Sequence, residues 1–172
     1  THISMVYAIA TSDNIYAMKT HLFLGEEKMA TTLKRFGFSG DIPAIPSLAL
    51  GTYEVSLQEL TQGYATLANL GVQVEPTFIT KVTTFDGLVL YEKDTPEERK
   101  IAHSSNVFLL NQAMTSTFDN RMTYNIRPTG GRIASLLNHT VSGKSGTTDT
   151  DNWMMGFNPD VVVGVWTGYD DN

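Results

Sequence analysis

Two apolar runs near the end of the chain, Trp153-Met154-Met155-Gly156-Phe157 and Val161-Val162-Val163-Gly164-Val165-Trp166, constrain its fold more than any other feature. Both are rich in the β-branched and aromatic residues that suit a pleated surface. Only Asn158-Pro159-Asp160 separates them, a turn with proline at the position a type I turn favours. Ahead of them, Asn138-His139-Thr140-Val141-Ser142-Gly143-Lys144-Ser145-Gly146-Thr147-Thr148 reads as a strand with a reactive edge. A cation, several hydroxyls and two glycines crowd together there, and turn material, Asp149-Thr150-Asp151-Asn152, follows at once. Residues 136–172 are therefore predicted to form a three-stranded β meander.

The preceding 135 residues read as mostly helical. Ile3, Val6, Tyr7 and Ile9 form a short helical pattern that Ser12-Asp13 interrupts. A second helix follows with Ile15, Met18, Lys19 and Leu22 at helical spacing, and a third begins at Gly25, lines Met29, Leu33 and Phe36 on one face, and stops at Gly37. Gly40, Pro43, Pro46 and Gly51 mark an irregular connection. Ser56-Leu57-Gln58-Glu59 is a capping box for a helix that buries Leu57, Leu60, Tyr64 and Leu67 and ends at Gly71. Phe78–Val82 and Leu88–Tyr91 flank Asp86-Gly87, which predicts a hairpin near 78–91. Asp94–Lys100 is a charged loop. Ser104 or Ser105 is expected to cap a helix running through Phe118 with Leu109, Leu110, Ala113 and Met114 inward, and a short helix over Ile133–Leu137 leads to the Lys144 strand. Helices first and an antiparallel sheet last give an α+β architecture.

Composition narrows the function. The chain has 172 residues, 41% of them apolar, which is enough for one core. A net charge of −6 without a dense Lys/Arg cluster argues against a nucleic-acid surface. No apolar stretch approaches the roughly 20 residues of a spanning helix, and no signal peptide is visible. The absence of cysteine removes disulfides, thiol catalysis and zinc–thiolate sites. His2, His21, His103 and His139 share no ligand-like spacing, so no metal and no cofactor is expected.

Gly143-Lys144-Ser145 invites two readings. A phosphate-binding loop requires a glycine at position 138, which is Asn138, and a helix directly afterwards, where Thr147–Asn152 is turn material. The other reading is the Lys-Ser/Thr-Gly strand of penicillin-recognising serine enzymes, whose second motif is Ser-Asp-Asn and whose third is Ser-x-x-Lys. Ser12-Asp13-Asn14 supplies the second, although the triplet taken alone is an ordinary helix cap. The third is absent: Tyr16, Gly25, Thr31, Phe78, Leu90, Glu97 and Val141 stand three residues before the seven lysines.

The chain resembles the C-terminal part of the transpeptidase domain of class A, bifunctional penicillin-binding proteins. The likeness rests on Ser12-Asp13-Asn14, on Lys144-Ser145-Gly146-Thr147-Thr148, on Leu50–Leu60 running into Gly63–Gly71, on Glu75–Ile79 and on Asp151–Asp160, in that order and spacing. It implies a β-lactamase/transpeptidase-like fold, here without its first strands, nucleophile helix and closing helix. It also implies a serine D,D-transpeptidase of peptidoglycan synthesis, with stem peptides ending in D-Ala-D-Ala as substrates and β-lactams as acylating inhibitors. Carried over by resemblance, Ser12 relays a proton to the leaving amine, Asn14 orients the substrate amide and Asp13 faces away. Lys144 supplies positive potential; Ser145 and Thr147 bind the substrate carboxylate, Thr148 borders that site, and Gly146 leaves room for substrate. The Thr147 amide is half of an oxyanion hole. Membrane anchoring, an extracytoplasmic location, a companion glycosyltransferase domain and no nucleic-acid partner belong to the same implication. Without a Ser-x-x-Lys the chain is expected to be inactive alone and to need the rest of the domain as partner. Its unpaired sheet edge predicts dimerisation or aggregation. A non-catalytic β-lactam- or muropeptide-binding module, a D,D-carboxypeptidase and a β-lactamase with Glu54 or Glu59 as deacylation base are the alternatives.

Overall fold

The computed structural model describes residues 2–95 and 97–169; Pro96 of the charged loop and the last three residues of the meander segment lie outside them. Helices α1 (Met5–Thr11), α2 (Asn14–Leu24) and α3 (Glu26–Phe36) follow one another with single-residue or two-residue junctions. Each boundary has a local cause. The Ser4 hydroxyl accepts from the Tyr7 amide at 3.2 Å, and the Asp13 carboxylate accepts from the Tyr16 amide at 2.7 Å, which satisfies first-turn donors. Helix α3 carries Glu26 and Glu27 in its first turn and Lys34 and Arg35 in its last, both complementary to the helix dipole, and Gly37 ends it in the left-handed region at φ 95°. Ala30, Ile42 and Leu48 form a buried cluster with Met29 and Leu33 packed on it, as the predicted apolar stripe requires.

Helix α4 (Leu57–Ala68) starts at the predicted capping box, with both reciprocal hydrogen bonds of Ser56 and Glu59 formed. It lies across the sheet of β3 (Ser142–Thr147), β4 (Asn152–Phe157) and β5 (Val162–Thr167), an antiparallel meander in the order β3-β4-β5. The Tyr64 ring meets Phe157 at 5.7 Å between centroids. Gly164 lets the helix approach: a Cβ there would stand 2.6 Å from the Thr61 hydroxyl. The meander turn is closed by Asn158, whose Oδ1 accepts from the amides of Asp160 and Val161 at 2.9 Å each.

Several expectations for the helical part need correction. Helix α5 spans Ser104–Met114 and its chain then tightens into a 3-10 turn, Thr115–Phe118, instead of continuing as one helix. Its N-cap is His103, whose Nδ1 accepts from the Ser105 amide, not a serine hydroxyl. Leu109 is 65% exposed and Leu110 also faces outward. The reason is phase: Val107 and Met114 are buried, and Asn111, between them at helical spacing, donates its amide to the Leu67 carbonyl of α4 at 2.8 Å. A polar tertiary bond thus takes the place assigned to leucine. In α1 the buried residues are Ala8 and Ala10, in α4 they are Gly63 and Thr66 with Leu57 exposed, and Ile15 and Leu22 of α2 face outward. The hairpin forms around Asp86-Gly87 as β1 (Lys81–Thr83) and β2 (Val89–Glu92), shorter than predicted at its first strand. Phe78 lies before it and is 89% exposed, and every residue of both strands is exposed, so little burial favours a longer pairing. The short helix before β3 is the 3-10 turn Ala134–Leu136.

Candidate active site

The junction between α1 and α2 is where Ser12, Asp13 and Asn14 sit, and it divides their tasks. Ser12 ends α1 with left-handed dihedrals, φ 55° and ψ 51°, so its side chain leaves both helices. Asp13 is the N-cap of α2, and its carboxylate is engaged by the Tyr16 amide. Asn14 is the first residue of α2 and is exposed. The helix-cap reading of the triplet is therefore correct for Asp13, while Ser12 is free to reach elsewhere.

It reaches β3. The Lys144 Nζ donates to Ser12 Oγ at 2.6 Å across 132 residues of sequence, and to the Ser145 carbonyl at 2.7 Å. Because the ammonium has no lone pair, Ser12 must be the acceptor, which leaves its own O–H free to donate to a third group. Lys144 is half-buried, and burial pushes its pKa below the ordinary lysine value. Among the described residues no carboxylate stands within 4.0 Å of its Nζ, so the cation keeps attraction for an anionic ligand.

The rest of β3 opens outward. Ser145 and Gly146 are half-buried and Thr147 is exposed. Gly143 and Gly146 differ in why they are glycine. A Cβ on Gly143 would lie 2.6 Å from the Met155 carbonyl and 2.7 Å from the Phe118 ring, so the fold itself demands glycine there. A Cβ on Gly146 would meet nothing nearer than Trp153 Cβ at 3.4 Å, so packing alone imposes no such demand. Thr148 belongs to the turn: its hydroxyl accepts from the amides of Thr150 and Asp151 at 3.2 and 2.9 Å. Asp151, assigned no role in the sequence analysis, accepts from Trp166 Nε1 at 2.7 Å and so ties this turn to β5.

Ser12, Lys144 and Ser145 are brought together; Asn14 follows Ser12 by two residues at the exposed start of α2, with no hydrogen bond tying it to them among the described residues, and Gly146 and Thr147 continue the strand from Ser145. Glu59, a candidate base, is committed elsewhere. Its two carboxylate oxygens accept from the amides and hydroxyls of Ser39 and Ser56, which hold its pKa down to about 2. Such a carboxylate is a poor general base.

A family model described as the penicillin binding protein transpeptidase domain matches residues 1–169. The chain belongs to this family. Penicillin-binding protein 2D of Bacillus subtilis is 48% identical over 99% of this chain, and penicillin-binding protein 1A of Aquifex aeolicus is 36% identical over 98%. The chain spans about a quarter of the length of these relatives, 24% and 22%. Among solved structures, penicillin-binding protein 1A from Haemophilus influenzae superposes with a TM-score of 0.88 at 24% identity, over 98% of this chain and 30% of that one. Penicillin-binding protein 3 from Mycobacterium tuberculosis, solved in complex with aztreonam, superposes at 0.79 with 20% identity, over 96% of this chain and 45% of that one. The transpeptidase family and its α+β fold, both expected from the sequence, are thus established.

Proposed function

We propose that residues 1–172 are part of one transpeptidase domain and supply two of the three catalytic segments of a serine D,D-transpeptidase. The nucleophile comes from a Ser-x-x-Lys elsewhere in the polypeptide. The observation that carries this reading is the 2.6 Å contact between Lys144 Nζ and Ser12 Oγ. In the reaction, the nucleophilic hydroxyl attacks the carbonyl of the penultimate D-alanine, the bond to the terminal D-alanine breaks, and the departing nitrogen takes a proton. Ser12 is oriented for that transfer, because Lys144 occupies one of its two lone pairs and leaves its proton free to donate. The half-buried cation favours the anionic groups gathered here, including the substrate's terminal carboxylate, which the hydroxyls of Ser145 and Thr147 bind. Asn14 aligns the peptide amide, Thr148 borders the carboxylate site through its turn, and Gly146 admits the substrate backbone. An amine of a neighbouring stem peptide then displaces the ester and regenerates the serine. β-Lactams open on the same serine, and the whole protein works at the extracytoplasmic face of the membrane to which it is anchored.

Labelling with a fluorescent penicillin tests the reading, comparing this chain with a polypeptide extended upstream to include a Ser-x-x-Lys. The longer form is expected to label and the chain alone to remain unlabelled. Lys144→Ala should slow labelling of the longer form by roughly a hundredfold or more. A longer form that never labels would move the site to binding without turnover.

A further inference from the structure

The segment between α5 and β3 holds the two motif-bearing elements together by contacts that neither motif contains. Thr117 has no exposed surface, and its Oγ1 donates to the Gly143 carbonyl at 2.7 Å, one residue before Lys144. The Gly130 amide donates to the Thr117 carbonyl at 2.9 Å, and the adjacent Thr129 amide donates to the Ala10 carbonyl at 2.9 Å, two residues before Ser12. Ser116 adds a second tie to α1: its hydroxyl lies 3.1 Å from the Val6 carbonyl and 2.6 Å from that of Ala113. With the Lys144–Ser12 bond these links close a circuit, from Ala10 through Thr129-Gly130, Thr117 and Gly143-Lys144 back to Ser12. The Phe118 ring is wedged inside it. A Cβ on Gly130 would stand 2.5 Å from that ring and one on Gly143 2.7 Å from it, so both glycines are needed for the circuit to close.

Ordinary satisfaction of a threonine hydroxyl does not account for this. Thr11, Thr32, Thr61 and Thr66 each donate to the carbonyl four residues back in their own helix. Thr117 instead reaches an element 26 residues away. We propose that Thr117, clamped by Gly130, is a positioning residue for acylation: it fixes the height of β3 against the end of α1 and so sets the Lys144–Ser12 contact. This rests on the transpeptidase reading above. Removing the hydroxyl leaves a buried carbonyl unpaired at Gly143, and β3 then shifts to relieve it, carrying Lys144 away from Ser12.

The test uses the polypeptide extended to include a Ser-x-x-Lys and compares the wild type with Thr117→Val, which keeps the shape, and Thr117→Ser, which keeps the hydroxyl. The second-order rate of acylation by fluorescent penicillin is read together with the labelling end point. A misplacement of about 1 Å can cost a hundredfold in rate, so Thr117→Val is expected to slow acylation by roughly tenfold or more at an unchanged end point, with Thr117→Ser within about twofold of wild type. A wild-type rate in Thr117→Val, or a Thr117→Ser as slow as Thr117→Val, overturns the inference. Should Thr117→Val fail to label at all, Ser116→Ala decides: a slowing of about threefold at full end point supports the circuit, and an unchanged rate overturns it. A wild type that does not label overturns the transpeptidase reading itself, which is a distinct result.

Discussion

Ser12 occupies a backbone region where a non-glycine residue costs roughly 1 kcal/mol, and its hydroxyl is not used to cap either helix. The amide of Ser12 closes α1 on the Ala8 and Ile9 carbonyls, a task glycine performs with less strain. Stability and chemistry therefore point to different residues at this position. Ser12→Gly is expected to leave thermal stability equal to wild type or up to about 1 kcal/mol higher, while penicillin acylation of the extended polypeptide falls by roughly 10- to 100-fold. A calorimetric melt beside a labelling time course reads both quantities. Wild-type labelling in this variant would remove Ser12 from the proton path, and a large loss of stability would make its hydroxyl structural. The division of labour within the triplet was legible only through the family resemblance and not from its residue types. The same three residue types suit a cap and a catalytic loop equally, and the fold shows that Asp13 caps α2 while the Ser12 hydroxyl accepts from Lys144.

With the His103 cap of α5 as an exception, most elements whose determinants lie within a few residues of one another were legible. The capping box at Ser56–Glu59, the stop at Gly37 and the Asn158-Pro159-Asp160 turn are of this kind. On α5 Ala113 and Met114 are buried as expected but Leu109 and Leu110 are not, because Asn111 is held by Leu67, 44 residues away, and the partner of Thr117 likewise lies in another element. Even the local capping box gains a tertiary task. The Glu59 carboxylate joins α4 to the Ser39 segment as well as to its own N-cap, and these donors lower its pKa from 4.5 to about 2. A depressed carboxylate stabilises the fold fully above its unfolded pKa and loses that contribution as pH falls through the folded value. Glu59→Gln is thus expected to cost about 1 kcal/mol at neutral pH, with the gap from wild type narrowing between pH 4.5 and 2. Urea titrations of both proteins across that range measure it; a gap independent of pH would mean that shape and not charge matters here.

At the scale of the whole molecule the surface is too large for the mass. A compact monomer of 18.9 kDa exposes about 8,300 Å² by the usual scaling, whereas this chain exposes 11862 Å². The excess, roughly 3,500 Å², is larger than the 1,200–2,000 Å² or so that a standard stable interface removes from water. Its location has a pattern. Val163 and Val165 are exposed along β5 and Val161 just before it; β5 is the last strand in the order β3-β4-β5, and its far edge is unpaired among the described residues. Phe108 and Leu109 are exposed on α5, and Phe23 at the end of α2 is 88% exposed. An unpaired apolar edge strand recruits another strand, and apolar helix faces of this size recruit a covering surface. In isolation the 172-residue chain is therefore expected to self-associate at micromolar concentration, to bind a hydrophobic dye and to melt over a broad range. Val163→Lys, which puts a charge on the β5 edge, should reduce the association without altering the α4-covered face. Sedimentation velocity over a concentration series decides the matter. A monodisperse monomer with a sharp, dye-silent transition would show that the exposed valines, phenylalanines and leucines do not drive association, and would leave the excess surface as a property of a stable open fold.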